Sequence, residues 1–120
     1  MNTERFWLAI DTLVARHPII IDRPRGSIHP RYPNIIYPLD YGYLEGTTSG
    51  DGCGIDIWRG SLAQFAATGL ILTVDLKKKD SEMKLLLACT LEEQHIVLEF
   101  HQTGLQSALL VERLSLYKGR

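Results

Sequence analysis

A chain of 120 residues, 45% apolar and 22% charged, has the composition of one globular domain and can bury a core without disulfide or metal staples. Its formal net charge of −1 supplies no basic field for nucleic acid or an anionic membrane, and no apolar run approaches a membrane span. Two cysteines, Cys53 and Cys89, make no disulfide framework, and Glu4, Arg5 and Asp11 interrupt any signal-peptide pattern, so a cytoplasmic setting is expected.

No internal repeat or low-complexity segment appears, and the reading is one domain over residues 1–120. Residues 3–16 read as an amphipathic helix, with Phe6, Trp7, Ile10, Leu13 and Val14 at helical spacing and Glu4 in the first turn. His17-Pro18 ends it, because the residue before proline is pushed out of the helical region. The β-branched run at residues 19–22 reads as a strand. The next segment holds Pro24, Pro30, Pro33 and Pro38 and reads as an irregular path with brief strands near residues 35–37 and 41–45. A glycine-rich turn at residues 50–54 follows, then a strand at 55–58 with Asp56 and Trp58 on one face. Apolar runs at 69–76 and 83–90, joined by the polar residues 77–82, read as a hairpin. From Leu91 the period turns helical through Ile96, Val97 and Phe100, and a second helix is expected over 105–116, burying Leu109, Leu110 and Leu114. Helix, strands, then helices give an α+β domain with an antiparallel sheet.

The most informative stretch is Tyr37-Pro38-Leu39-Asp40-Tyr41-Gly42-Tyr43, followed by Asp51-Gly52-Cys53-Gly54-Ile55-Asp56. This region resembles the signature of the soluble family I inorganic pyrophosphatases, which carry a YPxxYGY segment and then three aspartates as DxDxxD. The first and third aspartates stand here and Cys53 replaces the middle one. The resemblance spans residues 21–84. It implies a small OB-like antiparallel β-barrel flanked by an N-terminal helix and C-terminal helices. It also implies a magnesium cofactor, with manganese as the alternative, inorganic diphosphate as substrate, and a homo-oligomer.

The resemblance further assigns roles. Asp51, Asp56, Asp80 and Glu82 would be metal ligands, Asp56 also being catalytic, and Arg31, Tyr41 and Lys84 would hold phosphate. Hard cations require oxygen ligands, and arginine suits bidentate phosphate contact. Arg23 and Arg25 are alternatives to Arg31, and Asp40 is open between orienting a neighbouring site group and helping Arg31. Two features depart from the pattern besides Cys53. The upstream strand is Ile19-Ile20-Ile21 where the family has a lysine and a glutamate, and the family's C-terminal tyrosine-lysine pair has a counterpart only in the late Tyr117-Lys118.

Taken singly, each residue has a plainer reading. Asp51 before glycine is ordinary turn chemistry, the Lys77–Glu82 region is ordinary solvated loop, and the tyrosines are ordinary packing aromatics. Their joint order carries the functional expectation: magnesium-dependent hydrolysis of inorganic diphosphate, with activity reduced by Cys53. The alternative is a catalytically degenerate domain of the same kind that binds a phosphorylated ligand or a partner protein. An oligonucleotide- or sugar-binding module ranks below both, because basic and aromatic residues are not interleaved along the chain.

Overall fold

Alternation between apolar and polar residues sets up this molecule, and a computed structural model describes residues 2–114 of it. The elements run α1 (Glu4–Arg16), β1 (Ile19–Arg23), β2 (Asp40–Leu44), β3 (Ile55–Arg59), β4 (Ala67–Asp75), β5 (Asp80–Leu87), α2 (Leu91–Phe100) and β6 (Gln106–Glu112). Helix α1 turns Trp7 and Ile10 inward and stops where His17, ahead of Pro18, becomes extended. Arg113 ties its middle to the sheet. The guanidinium donates to both carboxylate oxygens of Asp11 at 2.7 and 2.8 Å and lies over the Trp7 ring.

Six strands form one sheet in the order β1-β2-β3-β5-β4-β6. Strand β5 returns from its hairpin with β4 to lie between β4 and β3, so it runs parallel to β3 while every other pairing is antiparallel. The α+β class holds, with two corrections to its detail. The sheet is mixed rather than purely antiparallel, and it is open rather than a closed barrel: β1 and β6 are its two edges, and closure would require them to pair.

A period of two sorts the side chains onto two faces. On one face Leu44, Ile57, Leu70, Leu85 and Leu87 pack with Trp7 and Ile10 beneath α1. On the other, Trp58, Ile71 and Leu86 pack with Tyr37, Leu39, Cys89 and Val97, the last from α2. Helix α2 begins on a capping box between Thr90 and Glu93.

The C-terminal region is a further correction. The helix expected over 105–116 is strand β6, which pairs with β4 from Gly69↔Glu112 to Asp75↔Gln106. Gly104, at φ 59°, ends the turn after α2, and the run behind it supplies the missing neighbour for β4. Leu110 packs on the α2 face, whereas Leu109 and Leu114 are exposed, contrary to the helical expectation. Residues 115 and 116 of that expected helix, with Tyr117 and Lys118, lie outside the described residues. The strand expected near 35–37 reduces to one bridge, Ile28↔Ile36, within a proline-bearing loop.

The glycine of the Tyr-Gly-Tyr triplet has a steric cause. Gly42 pairs with Ile21 of β1, and a Cβ on it would lie 1.7 Å from the Ile20 carbonyl oxygen. Gly42→Ala is therefore expected to cost about 3 kcal/mol or more, read as a lowered urea midpoint at unchanged slope.

A buried polar pair sits behind the α2 face. Trp58 Nε1–H donates to His101 Nε2 at 3.1 Å, so the other imidazole nitrogen carries the proton that points to Gln106 Oε1 at 3.2 Å. Burial first, and then the charge of Lys84, push His101 from 6.5 down to about 4. Its folded pKa is depressed, so its contribution is complete above about 6.5, is lost as the unfolded chain takes up a proton on acidification, and levels off below about 4. Chemical denaturation across that window should show a loss of roughly 3 kcal/mol from this group, flattened in His101→Gln.

Candidate functional site

The face that buries Trp58 and Leu86 continues beyond the reach of α2, and there its side chains turn polar. By strand parity Tyr41 of β2, Asp56 of β3, and Asp80, Glu82 and Lys84 of β5 all point the same way. The expectation that Asp56 and Trp58 share a face is borne out, since they face Tyr43 and Tyr41 of β2 in register.

Lys84 is the centre of this region and is only 5% exposed. Its ammonium donates to Glu82 Oε1 at 2.8 Å, Asp56 Oδ2 at 2.9 Å and the Tyr41 hydroxyl at 3.0 Å. An ammonium has three donors, so none is left over in this arrangement. Burial works against its charge, but Tyr41, Asp56 and Glu82 outweigh that and hold Lys84 well above its ordinary pKa. Burial, with the carboxylate of Asp56 acting in the same direction, raises Tyr41 well above 10 and keeps it a neutral phenol.

Two clefts open on either side of this cluster. The smaller, ≈ 340 Å³, is lined by all four carboxylates expected at the site, Asp51, Asp56, Asp80 and Glu82. Asp51 comes from the glycine turn, where Oδ1 accepts from the Cys53 amide at 2.9 Å and from Ser49 Oγ, and Gly52 at φ 85° allows the chain to double back. Those two donors, Ser49 first, hold its carboxyl below the usual range. Cys53 is exposed in the same turn and does not line the cleft. Among the described residues no three His, Cys, Asp or Glu side chains converge into a ready-made metal cage.

The larger cleft, ≈ 820 Å³, is lined by Arg31, Tyr41 and Lys84, the three residues expected to hold phosphate. Asp80 and Glu82 border both clefts, so the acidic and basic walls meet along β5. Other residues given no role from sequence also line the larger cleft, His29, Tyr32, Asp75, Lys77 and Lys78 among them. The lysine run was visible, but its composition reads as a solvated loop; only the hairpin turn aims it at the cleft. Arg23 lines the cleft and donates to the Tyr37 hydroxyl, while Arg25 does not line it. Asp40, left open from sequence, accepts from the Arg25 amide at 2.8 Å and pairs with Arg59 at 3.2 Å, not with Arg31. Tyr43, though part of the motif, lines neither cleft.

No protein-family model matches the chain, and no curated protein does. Solved structures do. The fold aligns with the inorganic pyrophosphatase of Helicobacter pylori at a TM-score of 0.57 and 12% identity, over 81% of this chain and 84% of that one. It aligns with an inorganic phosphatase from Anaplasma phagocytophilum at a TM-score of 0.54 and 13% identity, over 78% of this chain and 81% of that one. Identity at that level speaks for shape and not for activity. The chain has the inorganic pyrophosphatase-like fold, as the tyrosine-rich motif led one to expect.

Proposed function

We propose that this chain hydrolyses inorganic diphosphate, or a close phosphoanhydride, at the junction of the two clefts, with magnesium as cofactor and manganese as the alternative. The observation that carries the reading is the shared border: Asp80 and Glu82 belong both to a cleft of carboxylates and to a cleft of cations and a phenol. Hydrolysis of a polyanion by a hard cation needs those two walls side by side.

The donor set fits magnesium in one particular way. Magnesium keeps much of its water and takes one or two carboxylates plus substrate oxygens, so four oxygen-bearing side chains around an open cleft suit it better than a closed cage would. Asp51, Asp56, Asp80 and Glu82 would hold it, and when bound it supplies an acidified water and neutralises charge. The rest falls to the chain. Arg31, Lys84 and Tyr41 receive the phosphates, Lys84 through the donors that Asp56 and Glu82 give up when they turn to the ion. Tyr41 accepts from Lys84 and stays protonated, and its O–H, shared with Asp56 in this arrangement, turns to a phosphate oxygen when Asp56 holds the ion. Asp56 takes the proton of the water that attacks phosphorus as the P–O–P bond breaks, and the departing phosphate leaves against Arg31 and Lys84.

Phosphate release from diphosphate in magnesium or manganese tests the reading. Wild type is expected to turn over, Asp56→Asn to lose at least about 100-fold in kcat, and Cys53→Asp to gain about tenfold by restoring a carboxylate to the turn beside the acidic cleft. Absence of phosphate release under both ions, with diphosphate still bound, sinks the hydrolase in favour of a degenerate binding domain.

Lys84 and a divalent ion compete for the same oxygens of Asp56 and Glu82. Lys84→Met should therefore tighten manganese binding, roughly tenfold by calorimetry, while weakening diphosphate.

A further inference from the structure

The larger cleft is roomier than a bare diphosphate needs. At ≈ 820 Å³ it falls within the range of about 300–1,000 Å³ typical of pockets that bury whole organic ligands. Charged groups gather at its β5 end and under the β4–β5 turn, with Arg23 and Arg31 added from β1 and the loop. Its other wall is aromatic and comes from the proline-bearing loop before β2.

That wall is built to be rigid. Tyr37 is 4% exposed and anchors the loop, with Gly26 N–H donating to its carbonyl at 2.8 Å and its own N–H donating to Ser27 at 3.0 Å. The His29 ring lies nearly parallel to Tyr37, at 11° and 6.1 Å, and its Nδ1 accepts from the Arg31 amide at 3.0 Å, which fixes the ring's orientation. Tyr32 packs against His29 at 4.9 Å with the rings tilted by 44°, and half its surface is open to solvent. The uncovered half of Tyr32, held beside the oriented His29 ring, is the kind of aromatic surface on which a planar base stacks. Burial first, and then the charges of Arg23, Arg31 and Lys78, hold His29 below its ordinary pKa. These three cations come from β1, the loop and the hairpin turn, so separate segments concentrate positive charge beside a neutral aromatic plate. A nucleotide brings that same pairing of polyanion and base.

We propose that the site takes a nucleoside diphosphate or triphosphate, with its phosphates toward Lys84, Tyr41 and Arg31 and its base against Tyr32 and His29. The proposal rests on the phosphoanhydride reading and narrows it to a substrate class.

Calorimetric titration of the full chain with ADP and, separately, with inorganic diphosphate, both in magnesium, provides the test. Wild type is expected to bind both. Tyr32→Ala should weaken ADP about tenfold and leave diphosphate within about twofold, while Tyr32→Phe keeps ADP binding. In proton NMR the adenine resonances should shift upfield on binding to wild type and move less with Tyr32→Ala. Diphosphate bound without ADP, or equal weakening of both ligands by Tyr32→Ala, overturns the nucleotide assignment and leaves the phosphoanhydride reading standing. Failure of both ligands to bind removes the two together.

Discussion

A buried ammonium sets the terms for this structure. Taking a lysine out of water costs several kcal/mol unless its charge is met and its donors are filled. Lys84 meets that demand from three strands at once: Tyr41 from β2, Asp56 from β3 and Glu82 from its own strand β5. A shift of one residue in either pairing would turn these groups to the opposite face, because side chains alternate along a strand. The register of Tyr41 against Trp58 and of Trp58 against Leu86 is thus bound to the same charge cluster that forms the candidate site. Removing Lys84 would leave two carboxylates without their counter-charge, and removing Tyr41 would leave a buried donor unfilled, so the cluster is costly to disturb and well placed to hold geometry.

The two faces of the sheet divide the labour. The face under α1 is wholly apolar in its centre and closed by the Arg113–Asp11 pair, and it supplies stability without chemistry. The face under α2 is apolar at one end and charged at the other. Between the two ends stands an aromatic bridge, with Trp58 4.6 Å from Tyr41 and 5.2 Å from Phe100, centroid to centroid. One alternating pattern along β5 therefore runs from core at Leu86 to site at Glu82 within five residues. Groups that must be held firmly, Asp56, Glu82, Lys84 and Tyr41, stand on strands. Arg31, Tyr32 and Asp51, which would meet ligands under the proposed function, stand on loops pinned by proline, glycine and local hydrogen bonds.

Most elements were legible because their periodicity was unambiguous. Helix α1 carries a clean apolar stripe, the β4–β5 hairpin is bounded by a polar turn, and the period turns helical at Leu91 where α2 begins. Strand β6 was not legible. A short apolar run such as Leu109-Leu110-Val111 satisfies a helical or an extended pattern equally, and only the open edge of β4 selects the strand. Much the same holds at the site. The tyrosine motif and its following aspartates pointed to seven residues, and the structure gathers all seven along two adjoining clefts, but their roles do not follow from that placement. Lys77 and Lys78 were read as solvated loop because nothing local distinguishes such a lysine from one aimed across a cleft, and His29 was given no role because only the folded loop brings it there.

The sequence by itself determined which segments are apolar on which side, where the chain must turn, and that carboxylates and phosphate-binding groups occur in an order known from one hydrolase family. Those properties are local: they depend on spacing along the chain and on what each residue's backbone tolerates. Only the tertiary structure decided that β5 lies between β3 and β4, that the sheet stays open, and that Lys84 fills its donors with Tyr41, Asp56 and Glu82. These depend on which distant strands pair, and strand pairing is settled by the burial and charge compensation of the whole assembly rather than by any window of residues.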